Sequence, residues 1–565
     1  MKAHSCVDWV AAAAAMHHGE WQQALTLLLT FRVEDGFELS RRYLWCSRVL
    51  CELGRYSEAV EQAKQSANFA PGTSQSIARY RGLLIARATR RIAYGQVSTA
   101  IIWQLLKEDP ASKTLQIQFA EQALKTFGDW RPAHQLFLNR GEDAKLSTKL
   151  EYWMDIRSRI YEGCTRKDNQ LVKMRGFAEK FLTLPGIVGT PERSEQTEVQ
   201  LSNRGRRTRR IGVISNLFCS GPVFYMGIGA LTRLANTSKL VLFSRQSIDD
   251  WATDQFRRIA DEWMDVSHLN PQQLEKKIRS AELDILVDMA GLMDLDVLKA
   301  LSSKPSRKQY KWVGGQFSTT GLHCFDGFIT DEVQSPRGSE QFHTEKLVRL
   351  KSGYVTYTVP PYIPKPEKPV EKEALVVGVI SHPIKVVNVF LEFLKKEILN
   401  HQSQSDFKVE LNFIGGRYGS PVVQKRIHQF LFPSIDQAES NVLIRFLPTT
   451  GHKNQLLAVR GLDWVIDTFP FTGGLTTLEA LALGVPVRTY AGKTFQERHG
   501  VGHCAYSGLR VAEYDLQKIG PFGQEGPKND GTALLKAGSQ RLNHDLMAES
   551  LEELFMFGTS GVEVT

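Results

Sequence analysis

The sequence predicts an N-terminal array of paired helices followed by two α/β domains, each built around a parallel sheet. Three observations support this fold class. A Gly–aromatic–Ala pattern recurs early in the chain, short apolar runs alternate with amphipathic segments after residue 209, and a proline-rich stretch divides those runs into two series. At 565 residues the chain requires several domains, because single hydrophobic cores stop growing at roughly 250–300 residues.

The helical array is predicted by repeated short motifs. Gly19-Glu-Trp21-Gln-Gln-Ala24 is echoed from Gly54, and more weakly from Gly95 and Gly128, at a spacing close to the ~34 residues of a tetratricopeptide repeat. Glycine would end one helix, the aromatic residue would begin the next, and alanine would let the two pack closely. We expect irregular tetratricopeptide-like repeats over residues 1–183; a non-repeating helical bundle is the alternative.

A polar segment, residues 184–208, is predicted to link the array to the α/β part. Its end is rich in arginine, from Arg204 to Arg210, but no aromatic residues are interleaved as a nucleic-acid surface would require. We therefore expect a solvated basic linker and no nucleic-acid partner. The net charge of +9 is compatible with anionic small ligands.

Two series of β runs predict two doubly wound sheets, whose ligands bind at the carboxyl ends of the strands. We expect domains at residues 209–358 and 374–530, a linker at 359–373 and closing helices at 531–565. Two such domains facing a cleft form the GT-B arrangement of nucleotide-sugar transferases. The predicted strands are Ile211–Ser215, Lys239–Phe243, Asp284–Met289, Tyr310–Val313, Phe325–Thr330, Leu375–Ile380, Val409–Ile414, Val442–Phe446, Asp463–Ile466 and Val485–Thr489.

Several other classes of protein are disfavoured. No GxxxxGK[ST] occurs and no GxGxxG follows a first strand, which argues against P-loop and dehydrogenase sites. The seven cysteines are scattered without CxxC spacing, which argues against disulfides and zinc and is typical of a reducing cytoplasm. No apolar run approaches 18 residues, so we expect no membrane span.

The stretch Asp467–Val487, DTFPFTGGLTTLEALALGVPV, is the strongest candidate site. It predicts a strand that ends in two glycines and runs into a helix at Thr476–Leu483. Backbone amides at the start of such a helix, with the helix dipole, favour a diphosphate, and Glu479 could reach ribose hydroxyls. Thr476-x-x-Glu479 is equally a capping box that needs no ligand, so the spacing alone leaves both interpretations open.

This stretch and four other segments resemble the O-linked N-acetylglucosamine transferase family, glycosyltransferase family 41, and are closest to its bacterial SPINDLY-like members. The resemblance covers roughly residues 209 to 510, and a tetratricopeptide array is the family's usual N-terminal companion. The other segments are GKTFQERHG (Gly492–Gly500), ILVDMAGL (Ile285–Leu292), QYKWVGGQFSTTGLHCFDGFITDEVQSP (Gln309–Pro336) and TEKLVRL (Thr344–Leu350).

The resemblance implies an activity. Members of this family invert the anomeric centre, use a UDP-sugar and need no metal, and fixed donors stabilise the departing UDP. It implies transfer of N-acetylglucosamine or glucose from a UDP-sugar to Ser/Thr of a protein held by the repeats, with no cofactor and no metal ligands. Asparagine-linked transfer and an inactive repeat scaffold with a relict nucleotide pocket are the alternatives.

The resemblance also implies roles for particular residues. Lys385 would contact the leaving diphosphate and His382 would lie near the phosphates, while His452 would lie beside the uracil and Glu479 would bind the ribose. Without the resemblance, Lys385 could be a solvated lysine and His452 an ordinary surface or core histidine. Arg498 occupies the position of an arginine in the family, and its role could be structural. The remaining candidates in the donor site are Gly473, Gly474, Thr476 and Thr477.

The sequence departs from the family on the acceptor side. Ser220-Gly221 and Leu292 stand where family members carry histidines. Asp288 is then the candidate base, although a structural carboxylate at a strand end explains it equally well. Asp294-Leu-Asp296 imitates a metal-binding DxD motif, but it lies in a predicted helix of a different fold, and we discount it.

Overall fold

The computed structural model describes two compact units, Met1–Met154 with His268–Asn270, and Asp155–Ser267 with Pro271–Thr565. The predicted end of the helical domain at residue 183 stays a prediction. In the structure, the chain from Asp155 to Ser267 already belongs to the second unit. The described residues are 9–16, 20–30, 33, 35–53, 55–69, 75–92, 95–128, 132, 149–162, 168–184, 208–246, 248–365, 373–432, 440–508, 512–513, 539–557 and 563–564.

The first unit consists of helices. Trp21 and Tyr56 each begin a helix as predicted, and the alanines three residues later, Ala24 and Ala59, are fully buried. Residues 9–16 are also helical. The helices that follow them are α1 (Trp21–Thr30), α2 (Gly36–Glu52), α3 (Tyr56–Phe69), α4 (Gln75–Ile92), α5 (Gly95–Glu108) and α6 (Lys113–Phe127). The next helix, α7 (Lys149–Glu162), continues into the second unit.

The weaker echoes agree with the structure only in part. Gly128 ends α6 in the left-handed conformation, with φ of 62°, and its N–H donates to the carbonyls of Ala123 and Leu124. α5 ends at Glu108, two residues before Pro110, a residue that cannot continue a helix. Ala100, however, is exposed, so the close-packing role expected of it is wrong. Gly19, Gly54, Trp130 and the predicted linker from residue 185 to 207 lie outside the described residues.

The second unit begins with α7 and α8 (Asp168–Phe177, continued by a π-helical turn) and contains an eight-stranded sheet. Its strand order is β14-β7-β6-β5-β4-β1-β2-β3, and all strands are parallel except for β14 (Glu563–Val564) at the end of the chain. The elements are β1 (Arg210–Ser215), α9 (Pro222–Leu234), β2 (Lys239–Ser244), α10 (Trp251–Ile259), β3 (Glu262–Asp265), α11 (Pro271–Ser280), β4 (Ile285–Asp288), α12 (Leu295–Leu301), β5 (Lys308–Lys311), β6 (Gly327–Thr330) and β7 (Leu347–Arg349).

The second sheet has the order β10-β9-β8-β11-β12-β13, which is the doubly wound order of a dinucleotide-binding domain. The predicted fold class, a helical array followed by two Rossmann-like halves, is confirmed. The elements are β8 (Ala374–Val379), α13 (Asn388–Gln404), β9 (Lys408–Ile414), α14 (Pro421–Leu431), β10 (Val442–Leu447), α15 (His452–Arg460), β11 (Trp464–Ile466), α16 (Leu475–Ala482), β12 (Val487–Thr489), α17 (His499–Tyr506), β13 (Ala512–Glu513), α18 (His544–Phe557) and β14 (Glu563–Val564).

The predicted strand Tyr310–Val313, which the structure shows as β5, extends two residues too far. The fifth strand ends at Lys311, because Val313 has a φ of 43° and cannot continue it. The backbone instead wraps around the fully buried Lys311, whose ammonium donates to the carbonyls of Asp288, Val313 and Gly314 at 2.6–2.8 Å. Strands β3, β7, β13 and β14 were not predicted; the last two contain only two residues each.

The closing segment joins both halves of the second unit. α18 packs on α9 so closely that a Cβ at Gly229 would lie 2.3 Å from His544 Nδ1. The fully buried Arg541 donates to the carbonyl of Val355 at 2.6 Å and to that of Gly502 at 3.0 Å. Among the helices that the structure describes, none combines the length and apolar character needed to cross a bilayer.

The wrapped backbone after Lys311 should make Gly315 irreplaceable. Gly315 has a φ of 57°, and a Cβ there would lie 2.3 Å from the carbonyl oxygen of Ala290. We expect Gly315→Ala to lower the free energy of unfolding by about 2–4 kcal/mol. In the control Gly176→Ala, the new Cβ meets nothing within 4 Å on an exposed helix. Thermal unfolding of both variants, with only the first destabilised, would check the constraint.

Candidate functional site

The predicted donor-site residues lie at the switch point of the second sheet. His382 and Lys385 follow β8, and the stretch from Asp467 to Gly474 follows β11, the strand paired beside it. In doubly wound sheets, the crevice at this point is where ligands bind. The fold therefore brings together residues about 90 positions apart in the chain, as the family resemblance implied.

The double-glycine loop is held by a buried carboxylate. Asp467 Oδ1 accepts the N–H of Gly473 at 2.7 Å, and Oδ2 accepts the hydroxyl of Thr489 at 2.8 Å. A Cβ at Gly473 would lie 2.3 Å from Thr477 Oγ1, so only glycine fits. Burial raises the pKa of Asp467 to about 6, against the opposing effects of Thr489 and Lys385.

The next three amides along the loop remain available to a ligand. Gly473 uses its N–H internally, but the N–H groups of Gly474, Leu475 and Thr476 donate to no acceptor among the described residues. Gly474 is the N-cap of α16 and contributes no side chain there. Three free amides at a helix N-terminus form a site for an anion.

The alternative of a capping box at Thr476-x-x-Glu479 is wrong. The helix begins one residue before Thr476, and no side chain caps it. Glu479 is buried within the cleft, where its Oε1 accepts from His452 Nε2 at 2.6 Å. Burial raises the pKa of Glu479, while the hydrogen bond from His452 acts in the opposite direction.

Lys385 lies against the same loop and is not a solvated lysine. Its ammonium donates to the carbonyl of Thr472 at 2.7 Å and lies 4.0 Å from the centre of the Phe471 ring. Burial lowers the pKa of Lys385 to about 8, although the nearby Asp467 carboxylate acts to raise it. A cation held in this way is directed at the loop before any ligand arrives.

His382 is a neutral residue in a positively charged environment. It caps the short helical turn that contains Lys385, and its Nδ1 accepts the N–H of Ile384 at 3.1 Å. Burial, together with the smaller effects of the positive charges of Arg417, Lys385 and Arg157, lowers its pKa to about 3. The two arginines were not predicted. They come from α7 and from the turn after β9, so no local spacing connects them.

Three hydroxyl groups converge beside His452, and the two tyrosines among them, Tyr225 and Tyr362, were not indicated by the sequence. Tyr225 OH lies 3.2 Å from Ser220 Oγ, 2.8 Å from Tyr362 OH and 3.3 Å from His452 Nδ1. Tyr362 OH itself lies 2.8 Å from the same nitrogen. These side chains come from α9, the segment before β8 and α15, so only the tertiary fold brings them together.

The candidate base Asp288 is in a structural setting. It is fully buried, and its Oδ1 accepts the N–H groups of Ala290 and Gly291 at 2.8 and 3.0 Å, with Lys311 Nζ 3.7 Å from Oδ2. This geometry favours the structural alternative over the catalytic one. Leu292 is also buried.

Two other candidates have structural contacts. Asp294 caps α12 by accepting the N–H groups of Asp296 and Val297, and it pairs with Arg245 at 3.0 Å, which explains the DxD-like spacing without a metal. Arg498 donates to the carbonyls of Val333 and Gly492, both at 2.8 Å, and so ties the two halves together.

Comparisons with known proteins agree with one another. Residues 190–358 match the model of Glycosyl transferase family 41. The chain is 26% identical over 314 residues to a tomato protein named "Probable UDP-N-acetylglucosamine--peptide N-acetylglucosaminyltransferase SPINDLY", and 27% identical over 313 residues to the Arabidopsis thaliana protein of that name. Each match covers 53% of this chain but only 32–33% of the relative, so the match spans about a third of the relatives' length.

A solved structure supports the fold over most of the chain. A mutant of the Thermobaculum terrenum O-GlcNAc transferase superimposes with a TM-score of 0.68 at 19% sequence identity, covering 93% of this chain and 95% of that one. At this identity the likeness concerns the fold alone. The similarity in sequence is shown by the family model and by the relatives. The chain is therefore similar to glycosyl transferase family 41 over residues 190–358, and to the SPINDLY and O-GlcNAc transferase proteins described above.

Proposed function

We propose that the protein is an inverting glycosyltransferase that moves N-acetylglucosamine or glucose from a UDP-sugar to Ser/Thr of a protein acceptor. The observation that carries this proposal is the loop after β11, where three free amides follow Thr472, whose carbonyl accepts from the Lys385 ammonium. The match of residues 190–358 to the family model and the names of the similar proteins support the same donor class. The reaction uses no cofactor.

The geometry suits stabilisation of a departing diphosphate. As the bond from the anomeric carbon to the phosphate oxygen breaks, negative charge grows on the diphosphate. Fixed hydrogen-bond donors can stabilise that charge without moving, and they are effective in a site that excludes water. The donors here are the ammonium of Lys385 and the amides of Gly474, Leu475 and Thr476. We propose that these groups replace a metal ion in this role.

The nucleoside would lie on the other side of α16. His452 and Glu479 meet there, and Glu479 uses only Oε1 for its bond to His452. Its Oε2 makes no hydrogen bond with a described residue and can accept from a ribose hydroxyl. We propose uracil beside His452 and the ribose at Glu479, which agrees with the roles implied by the resemblance.

The acceptor side of the proposal depends on the helical unit. Helical repeats form extended surfaces suited to protein segments, and we propose that the N-terminal helices hold the acceptor. Two alternatives remain for testing: asparagine-linked transfer, and a scaffold without catalysis. The setting of Asp288 favours the scaffold, because that carboxylate is already bonded to backbone amides. We propose a cytoplasmic location on the basis of the cysteine pattern.

Donor binding is tested by calorimetric titration with UDP. The wild type should bind, and Lys385→Ala should weaken binding by about 10–100-fold, because a charged hydrogen bond to the diphosphate is lost. The matched control is Lys425→Ala, an exposed lysine on α14 of the same half, which should bind as the wild type does. A wild-type protein that does not bind UDP would contradict the donor assignment.

The affinity for UDP should also depend on pH. Since burial lowers the pKa of Lys385 to about 8, its ammonium is charged below that pH and loses its charge as pH rises. We expect the dissociation constant to increase from pH 7 to 9.5, by up to about tenfold per pH unit once the lysine is neutral. Lys385→Arg should remove this dependence because arginine stays charged. Equal slopes for both proteins would refute the role of Lys385.

Transfer itself is tested with radiolabelled UDP-N-acetylglucosamine and UDP-glucose in a cell lysate containing EDTA. We expect label on protein, with mass spectrometry locating it on Ser or Thr. Label on Asn would select the asparagine-linked alternative. UDP binding without transfer or donor hydrolysis would select the scaffold, and a requirement for added divalent metal would overturn the metal-independent mechanism.

A further inference from the structure

An unbroken chain of hydrogen bonds runs between the two halves of the second unit. It begins at Ser220 Oγ and passes through the hydroxyls of Tyr225 and Tyr362 to His452 Nδ1, with separations of 3.2, 2.8 and 2.8 Å. From His452 Nε2 it continues to Glu479 Oε1 at 2.6 Å. Every step is therefore within hydrogen-bond range.

The chemistry of the members gives the chain a direction. We assign the neutral Nε2–H tautomer to His452, in which Nε2 donates to the Glu479 carboxylate, which can only accept, and Nδ1 is the acceptor. Tyr362 must then donate to Nδ1, Tyr225 donates to Tyr362, and Ser220 donates to Tyr225. Each group passes its hydrogen towards Glu479.

The chain lies beside the amide loop rather than elsewhere in the fold. Met226 follows Tyr225 on α9, and its Cε would lie 3.6 Å from a Cβ placed on Gly474. Tyr225 and Glu479 are each 1% exposed, and Ser220 is the member at the first half's turn after β1. One end is thus a hydroxyl on the acceptor side, and the other is a buried carboxylate on the donor side.

A second feature indicates that polar groups are needed here. The hydroxyl of Tyr357 is buried and has no hydrogen-bond partner among the described residues, and the same holds for Thr358 Oγ1. The nearby charges and hydroxyls of Glu479, Tyr225 and Tyr362 raise the pKa of Tyr357 in addition to the effect of burial. Orphaned buried hydroxyls beside the chain leave positions for a water or a ligand hydroxyl.

We propose that Ser220, Tyr225, Tyr362, His452 and Glu479 form a proton relay for the transfer reaction, with Glu479 as the final acceptor. This proposal rests on the proposed function. The acceptor oxygen bonds to the anomeric carbon as the bond to the phosphate oxygen breaks, and UDP leaves with that bonding pair. The hydroxyl proton goes to Ser220 Oγ, and each proton in the chain moves one place, so that Glu479 becomes protonated.

Electrostatics favours this direction of transfer. The Glu479 carboxylate loses its charge while the departing diphosphate gains one, so the total charge in the cleft stays constant during the reaction. Burial raises the pKa of Glu479, which makes its carboxylate a better proton acceptor than an exposed one. After product release the proton returns to solvent, and the chain is restored.

The test compares Tyr362→Phe and Tyr225→Phe with the control Tyr310→Phe, which removes the hydroxyl of a buried tyrosine on β5 outside the chain. Loss of base assistance should lower kcat for donor turnover by about 10²-fold, while the dissociation constant of UDP changes less than about twofold. The solvent deuterium isotope effect on kcat should change in both chain variants. The control should match the wild type in all three measurements.

A second measurement needs no substrate. In protein labelled with ¹⁵N-histidine, His452 should have the Nε2–H tautomer, and Tyr362→Phe should shift its Nδ1 resonance; His452→Asn assigns the signal. The opposite tautomer, or normal kcat in Tyr362→Phe, overturns the relay alone. A parallel loss of UDP affinity and thermal stability in Tyr362→Phe also overturns it, by showing a structural role. Failure of the wild type to bind UDP or turn over the donor overturns the proposed function and the relay together.

Discussion

The donor side of the cleft depends on one buried carboxylate. Asp467 holds the N–H of Gly473 and the hydroxyl of Thr489 at the same time, and so fixes the path from β11 into α16. That path leaves the next three amides free, presents the Thr472 carbonyl to Lys385 and sets the direction in which Glu479 points. An unpaired carboxylate buried there would be costly, and the two short hydrogen bonds offset that cost.

The site is positively charged before a ligand enters it. Burial works against the charge of Lys385, and that of Arg417, but not enough to remove it at neutral pH. His382 beside them stays neutral and adds no further repulsion. A bound diphosphate would relieve this unfavourable charge. The buried positive charges therefore lower the stability of the unliganded protein and stabilise its complex with a diphosphate.

Sequence periodicity predicted the fold well because strands such as Ile211–Ser215 are mostly apolar, are buried along their length and are separated by amphipathic helices. It predicted the glycine loop because only glycine suits a close backbone approach. It extended β5 too far because Val313 has a positive φ, and its carbonyl accepts a hydrogen bond from Lys311. No local pattern indicates that this lysine is buried. It offered a capping box at Glu479 for the same reason, since the competing partner, His452, is distant in sequence. Tyr225 and Tyr362 gave no signal, because nothing in their own segments differs from core tyrosines.

The two departures on the acceptor side have different physical meanings. Leu292 is buried in a tight turn next to Gly315, where an imidazole would need a polar partner, so the leucine suits its surroundings. Ser220 is only partly buried, and its hydroxyl is already within reach of Tyr225. A histidine there would accept a proton on its own ring. A serine can only pass a proton on, so its usefulness depends on the groups to which it is hydrogen-bonded. In this fold those groups are two tyrosine hydroxyls, a histidine and a buried carboxylate, so the acceptor-side turn is connected to a base that lies in the donor half.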